Sequence, residues 1–489
     1  MGRQGHLKAI LLILVLGVIT YFNAFANRFV WDDRALIIGN ELIRDWKHIP
    51  QIFTAELYRT SAPGSFYRPI QTLSYLFDYS IWQINPYGYH FTNLLIHIVN
   101  GILVYFIVLV SAKEWRPEGL RYITQTFRET NEPYSIALFT ALLFIVHPVH
   151  VQAVTYISGR ADLLACLFLL IAFILFINGK TFLSRIVSSL SFIFALLSKE
   201  VALIFPVVLL AWINFQRKRD SGKAVEPGLK PASVAPFFAI AFIYVVLRMT
   251  VLRFSDKILP QDLSLNFGTR LLTSFKTLTY YIRLLLSPFG LHAEYMVEPV
   301  RSFFTIDFLM SLAGIVVITI LLVWAYRTDR ILFFWGIFFL ITLFPVMNVI
   351  PINAQMSEHF LYVPSIGFFM VFTGMIHGIG RLKRFRNYQW LPAVILTLII
   401  FCCVVITIDR NADWRDEITL FQKTTESSPR SYRAHFNLGV AYYNAGLYNE
   451  AIIEFRNALE LNPESIDARQ NIEKAQKKFE EISRGGTVK

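Results

Sequence analysis

The sequence predicts an all-α fold, a polytopic transmembrane helical bundle followed by a small helical-repeat module at the C-terminus. Three observations carry that prediction. Of the 489 residues, 55% are hydrophobic and 16% charged, and the mean hydropathy is +0.49. No soluble globular chain of this size needs that balance, so the bilayer is the expected solvent. Several apolar runs approach the ~20 residues that a helix needs to cross ~30 Å of hydrocarbon. They lie at 7–25, 91–110, 161–177, 304–326, 331–349 and 391–408. Unpaired backbone is too costly in lipid for such runs to be anything but helices. The third observation is a repeat signature that begins at Tyr432.

The first run starts after Arg3 and Lys8, lacks a small-residue cleavage site and is followed by Asn27 and Arg28, so it reads as a retained span. The net charge of +12 gathers in short loops between spans, where the positive-inside rule puts it, and topology explains it without nucleic acid. Cys166, Cys402 and Cys403 all fall inside apolar runs and read as packing residues.

The dense basic loops fix the orientation. Arg217, Lys218, Arg219, Lys223 and Lys230, then Arg327 and Arg330, then Arg381, Lys383, Arg384 and Arg386 are expected in the cytoplasm. From a cytoplasmic N-terminus, spans near 7–26, 91–111, 134–150, 161–178, 183–198, 200–215 and 234–253 satisfy that parity. Arg270, Lys276 and Arg283 recur at about two helical turns, so 269–287 is expected to be an amphipathic interfacial helix rather than a span. The count becomes about eleven spans. The stretch 186–215 would make a single helix of ~45 Å, too long for one crossing. Two half-depth helices meeting at Ser198-Lys199-Glu200 fit better. The expected organisation is a membrane domain at 1–408, with a long first outside loop at 27–90, and a module at 409–489 outside the cytoplasm.

Within that module Leu438, Gly439, Tyr442, Ala451, Phe455, Ala458 and Pro463 occupy the signature positions of a tetratricopeptide (TPR) repeat over about 432–465. His435 replaces the usual large aromatic. Phe421 and Pro429 precede Phe455 and Pro463 by the repeat period of ~34 residues, so 414–429 reads as half of a preceding repeat, and 465–482 as a capping helix. One repeat offers either a small docking surface, with His435, Asn437, Tyr442 and Asn444 as its candidates, or a cap on the membrane domain.

The same parity puts the unusual polar residues on one face, away from the cytoplasm: Asp32-Asp33, Arg68, His147 and His150, Arg160 and Asp162, Lys199-Glu200, and Glu358-His359. Ionisable groups at membrane depth are expensive and usually line a cavity or a substrate path. Adjacent carboxylates at the mouth of such a cavity can supply a general base, or they can be an ordinary acidic pair at a helix end. His147 and His150 are three apart, but Pro148 lies between them and no third ligand accompanies them, so no metal site is expected. Arg160 with Asp162, and Lys199 with Glu200, can simply pair with each other, and Arg283 can snorkel to headgroups. A base beside cations is what transfer from a lipid phosphosugar requires.

Phe29-Val30-Trp31-Asp32-Asp33, Tyr67-Arg68-Pro69, HPVHVQAVTYISGRADLL from His147, Leu197-Ser198-Lys199-Glu200, SEHFLYVPSIGF from Ser357, and Trp414-Arg415-Asp416-Glu417 running into the repeat together resemble the transmembrane and TPR-containing (TMTC) family, in the same order over nearly the whole chain. The resemblance implies a GT-C-type fold and an inverting glycosyltransferase related to the protein O-mannosyltransferases. Such an enzyme moves mannose from a polyprenyl phosphate, of dolichyl or undecaprenyl type, onto a Ser or Thr hydroxyl of a protein acceptor, and requires no cofactor. It implies Asp32 or Asp33 as the base, and Arg68, His147, His150, Arg160, Asp162, Lys199, Glu200, Arg283, Glu358 and His359 as candidate contacts for donor phosphate or sugar. The repeat array is shorter than in the animal relatives, which suggests a bacterial or archaeal cytoplasmic membrane, or the endoplasmic reticulum membrane in a eukaryote. A transporter or lipid flippase, a polysaccharide ligase or polymerase, and a scaffold that merely anchors the repeat are the competing classes.

Overall fold

The computed structural model describes all residues except 1–2, 58–65, 115–131, 180, 218–229, 253–264, 353, 380–386 and 484–489. Among the described residues every regular element is helical. Most of the basic positions in the loops at 217–230 and 381–386 lie outside the described residues.

Helix α1, Arg3–Tyr21, continues through a tight turn to Ala26. Its flank of Leu7, Leu11, Leu14 and Val18 is exposed, as a lipid-facing surface requires. Pro69 and Pro86 start the next two helices, α2 at Pro69–Trp82 and α3 at Pro86–Glu114, because a proline at the first turn forfeits only an N–H that has no helical partner anyway. Helix α4, Glu132–Val146, ends at His147-Pro148, where the chain bends by 51° into Pro148–Val154. Helix α5, Arg160–Asn178, and α6, Phe182–Ser198, form an antiparallel pair. A break at Lys199 and one tight turn at Glu200–Ile204 lead into α7, Phe205–Arg217. The stretch that was too long for one crossing is thus two helices meeting at the expected polar turn.

Helix α8, Ala235–Met249, is followed by α9, Phe267–Leu286, α10, Ile306–Thr328, α11, Arg330–Leu343, α12, Pro364–Ile379, and α13, Leu391–Ala412. Six described helices are long and apolar enough to cross a membrane. One bent pair qualifies with them, and four shorter apolar helices accompany these. The chain is a multi-pass membrane protein, with α3, α4 and α5 at the centre of the bundle and α1 and α12 packed around them. Helices α11 and α12 approach so closely that a Cβ on Gly367 would lie 2.4 Å from the Trp335 carbonyl oxygen.

Helix α9 departs from the sequence reading in one respect. Lys276 is buried, and its Nζ lies 2.6 Å from Asp307 Oδ2, while Arg283 stays exposed. The three cations do not form one solvated stripe, because Lys276 is buried and pairs with the half-exposed Asp307 of α10.

Four helices follow α13: α14 at Glu417–Ser427, α15 at Tyr432–Asn444, α16 at Tyr448–Leu461 and α17 at Ile466–Ser483. Asp416 and Ser431 cap α14 and α15 by accepting from Thr419 N and Ala434 N. Gly446, at φ +79°, makes the turn of the α15–α16 hairpin. Gly439 is small because a Cβ there would meet the Phe455 ring at 2.6 Å. The signature residues Leu438, Ala451, Phe455 and Ala458 are the buried ones.

Candidate active site

The acid pair sits in a tight, strained turn. Asp33 N donates to Val30 O at 3.1 Å, and Val30 N donates back to Asp33 Oδ2 at 3.1 Å. Trp31, between them, has φ +55°, an unusual conformation for a bulky residue. The two carboxylates then separate. Asp33 is fully buried and its Oδ1 accepts from both the amide, at 2.9 Å, and the hydroxyl of Ser158. Burial lifts this carboxyl to about 7, against the opposing pull of the Ser158 and Val30 hydrogen bonds. Asp32 is only partly buried.

Ser158 belongs to the segment between α4 and α5, and its neighbour Gly159 is constrained by packing. A Cβ there would meet the Ala153 carbonyl oxygen at 2.6 Å. Gln71 and Tyr75 of α2 bond the carbonyls of Ser158 and Ile157, which ties the acid turn to α2.

Arg160 and Asp162 do not pair with each other. Two residues apart on a helix, their side chains point to different sides. Arg160 is fully buried, with Nη1 2.6 Å from Asp78 Oδ2 and further bonds to Asn93 Oδ1 at 2.7 Å and Tyr89 O at 2.9 Å. Asp162 accepts from Lys199 Nζ at 2.7 Å on both oxygens. Glu200 likewise leaves Lys199 and binds Arg68, with Nη2 to Oε1 at 2.7 Å and Nε to Oε2 at 3.2 Å. The Lys199 ammonium also lies 5.3 Å from the centre of the Phe360 ring.

His147 and His150 are buried in the bundle rather than in this cluster. His147 Nε2 lies 3.1 Å from Leu285 O, and its Nδ1 accepts from Val149 N. His150 lies 2.7 Å from Phe144 O and 2.9 Å from Ser365 Oγ. All four ring nitrogens are engaged within the protein, so these histidines hold the bend at Pro148 and offer nothing to a ligand. Glu358 is fully buried, and its Oε1 receives Tyr295 Oη at 2.7 Å and Arg410 Nη2 at 3.4 Å. Burial raises its carboxyl, and the neighbouring Arg410 cation opposes that rise. His359 donates its backbone N–H to Gln152 Oε1 at 3.1 Å, and its ring meets Ser357 Oγ at 2.8 Å. His292 is pushed down to about 4 by burial and by the cations Arg410 and Arg283.

Sequence reasoning missed Asp78, Ser158, Tyr295, His292 and Arg410. Arg410 was the most findable, as an ionisable residue in the last turn of an apolar span. Asp78 carried the same signal on α2.

The repeat helices close over this region. Arg28 N donates to Arg415 O at 2.9 Å, and Arg34 Nε lies 2.6 Å from Glu417 Oε1. Ser428 Oγ donates to Glu294 O at 3.0 Å, and Arg430 meets Glu298 at 3.2 Å. Of the candidate docking residues, His435 is occupied by Glu454 at 2.6 Å and by Pro429 O at 3.0 Å. Tyr442 Oη accepts from Gln422 Nε2 at 2.8 Å, and Asn444 is exposed.

Residues 432–465 match the tetratricopeptide repeat family. The chain is similar to the protein O-mannosyl-transferase F38B6.6 of Caenorhabditis elegans, 25% identical over 471 residues that cover 94% of this chain and 64% of that protein. It is similar to the protein O-mannosyl-transferase TMTC3 of Homo sapiens, 24% identical over 507 residues that cover 94% of this chain and 52% of that protein. The TMTC-like resemblance therefore runs over nearly the whole chain, which spans between about half and two thirds of the length of these relatives. Among solved structures, ArnT from Cupriavidus metallidurans bound to undecaprenyl phosphate aligns with a TM-score of 0.42 at 12% identity, covering 99% of this chain and 79% of that one.

Proposed function

We propose that this protein is a membrane glycosyltransferase that moves a sugar, mannose by its relatives' names, from a polyprenyl phosphate to a protein Ser or Thr hydroxyl, with inversion. The relatives named as O-mannosyl-transferases support the reaction class. The observation that carries the assignment of roles is the divergence of the acid pair: Asp33 spends its oxygens on Ser158 and Val30, whereas Asp32 lies partly open beside it.

Asp32 is the general base. It takes the acceptor proton as the hydroxyl attacks the anomeric carbon from the side opposite the phosphate. Asp33 anchors the turn. The departing phosphate is met by Arg68 and Lys199, each held by one carboxylate of its own, and the exposed Arg283 guides the donor from the bilayer. Arg160, His147 and His150 serve the scaffold. The reaction takes place on the face that carries the repeat module, which lies away from the cytoplasm, in a bacterial or archaeal cytoplasmic membrane or in the endoplasmic reticulum membrane. The division into a membrane domain at 1–408 and a module at 409–489 belongs to the same reading, with Asn437, Tyr442 and Asn444 offered to the acceptor protein.

The test is transfer of radiolabelled mannose from dolichyl phosphate to endogenous acceptor proteins in membranes. Removing a general base lowers the rate by ~10²- to 10⁴-fold, which is expected for Asp32→Asn. Full activity in that variant would discard the assignment.

A further inference from the structure

The connector after the last span and the first helix of the repeat module reach into the acid turn through aromatic rings. The Trp31 ring stacks on Tyr156, with centroids 5.6 Å apart at 21°. On its other side Tyr156 stacks on Trp414, at 5.0 Å and 28°. Phe421, on α14, meets Trp31 edge-on at 5.8 Å and 77°. Trp414 and Phe421 are both almost wholly buried, although they belong to the part of the chain that leaves the bundle. Polar contacts bracket the stack: Asn27 Nδ2 donates to Asn411 O at 2.9 Å, Thr155 Oγ1 donates to Asn411 Oδ1 at 2.6 Å, and Arg34 pairs with Glu417.

This arrangement answers a question the turn poses. A bulky residue at positive φ is strained and persists only where the surroundings over-determine it. Here the Val30 and Asp33 bonds close the backbone, and the rings grip the side chain. Aromatic pairs stabilise beyond their burial, and two of them hold the Trp31 ring. Trp31 immediately precedes Asp32, and any relaxation of its φ swings the Asp32 carboxylate.

We propose that Trp414 and Phe421 are positioning residues for the acid turn: acting through Trp31 and Tyr156, they hold Asp32 in its reactive orientation, which makes the repeat module part of the catalytic scaffold. This rests on the assignment of Asp32 as base. Neither residue touches substrate, so their loss acts on kcat and leaves donor binding alone.

The experiment uses the full chain in proteoliposomes, with dolichyl phosphate mannose as donor and a synthetic Ser/Thr-rich peptide as acceptor. Amide hydrogen exchange of the segment 29–36 is measured in parallel. Misplacing a reacting group by ~1 Å costs up to ~10²-fold, so Phe421→Leu is expected to lower kcat by ~10- to 100-fold with both KM values within about twofold. Exchange at 29–36 is expected to rise, and Phe421→Tyr, which keeps the ring, to restore both readouts. If Phe421→Leu does not fold, Trp414→Phe carries the same measurements with a smaller fall in kcat expected. Unchanged kcat and exchange, or a rise in KM with kcat intact, overturns the proposal. Full activity in Asp32→Asn overturns the base assignment instead, and the exchange data then still decide whether Phe421 holds the turn.

Discussion

Arg160 and Lys199 are both buried cations paired with aspartates, yet they sit in opposite kinds of surroundings. Around Arg160 every guanidinium nitrogen is engaged: Asp78, Asn93, Ser74 and the Tyr89 carbonyl surround it, and both members of the ion pair have no solvent exposure. The second region is a ladder of two pairs, Lys199–Asp162 and Arg68–Glu200, that opens outward. There the side-chain exposure climbs from 4% at Lys199 to 13% at Arg68 and 40% at Glu200. The first is a knot that pins α2, α3 and α5 together. The second brings charge to the surface at Glu200. Burial of charge alone therefore does not mark a ligand site, and the gradient of exposure separates the two.

The knot is the costlier of the two to lose. Arg160→Met leaves Asp78 charged and unpaired in a dry interior, which costs ~3–5 kcal/mol. Thermal unfolding in detergent is expected to show that loss, and adding Asp78→Leu to recover much of it. A stable Arg160→Met protein with a raised donor KM would instead move Arg160 into the site. The ladder gives the next largest effect. A charge-assisted hydrogen bond contributes ~1.5–3 kcal/mol, so Arg68→Ala is expected to raise donor KM by roughly tenfold or more. Its partner Glu200 is open enough for water to replace the guanidinium, so the unfolding temperature should hardly move. An unchanged KM would leave the ladder with a structural role only.

The smallest effect, taken per pH unit, separates Asp33 from Asp32. With its carboxyl lifted from 3.8 to about 7, the folded chain retains a proton on Asp33 through a window in which the unfolded chain has released it. The contribution of Asp33 to stability is greatest below pH ~4 and falls as pH rises towards ~7, by up to ~1.4 kcal/mol per pH unit. Unfolding temperatures measured across that window should show this slope, and Asp33→Asn should flatten it. A slope that survives the substitution would assign it to another group.

Much of the candidate site was legible because polar residues in apolar surroundings stand out. Asp32, Asp33, Arg68, Asp162, Lys199, Glu200 and Glu358 were all found in that way. Their pairing was not. Neighbours such as Arg160 and Asp162, or Lys199 and Glu200, suggested local pairs, but each found its partner on a different helix. His147 and His150 looked like donor contacts because their carbonyl partners, Leu285 and Phe144, carry no side-chain signal. Trp414 and Phe421 were read as repeat residues, and nothing local shows that their rings reach Trp31.

The helical class, the membrane spans, the polar break at Lys199 and the repeat hairpin were all readable from the residue pattern. These follow from hydrophobic run length and from residue types that act within a few positions of each other. The fold in three dimensions set which acid is fully buried and which only partly, which cations share a closed pair and which lie nearer the surface, and that rings from the module stack against the acid turn. Those outcomes depend on desolvation and on partners brought together from distant parts of the chain, and neither quantity is encoded at a single position.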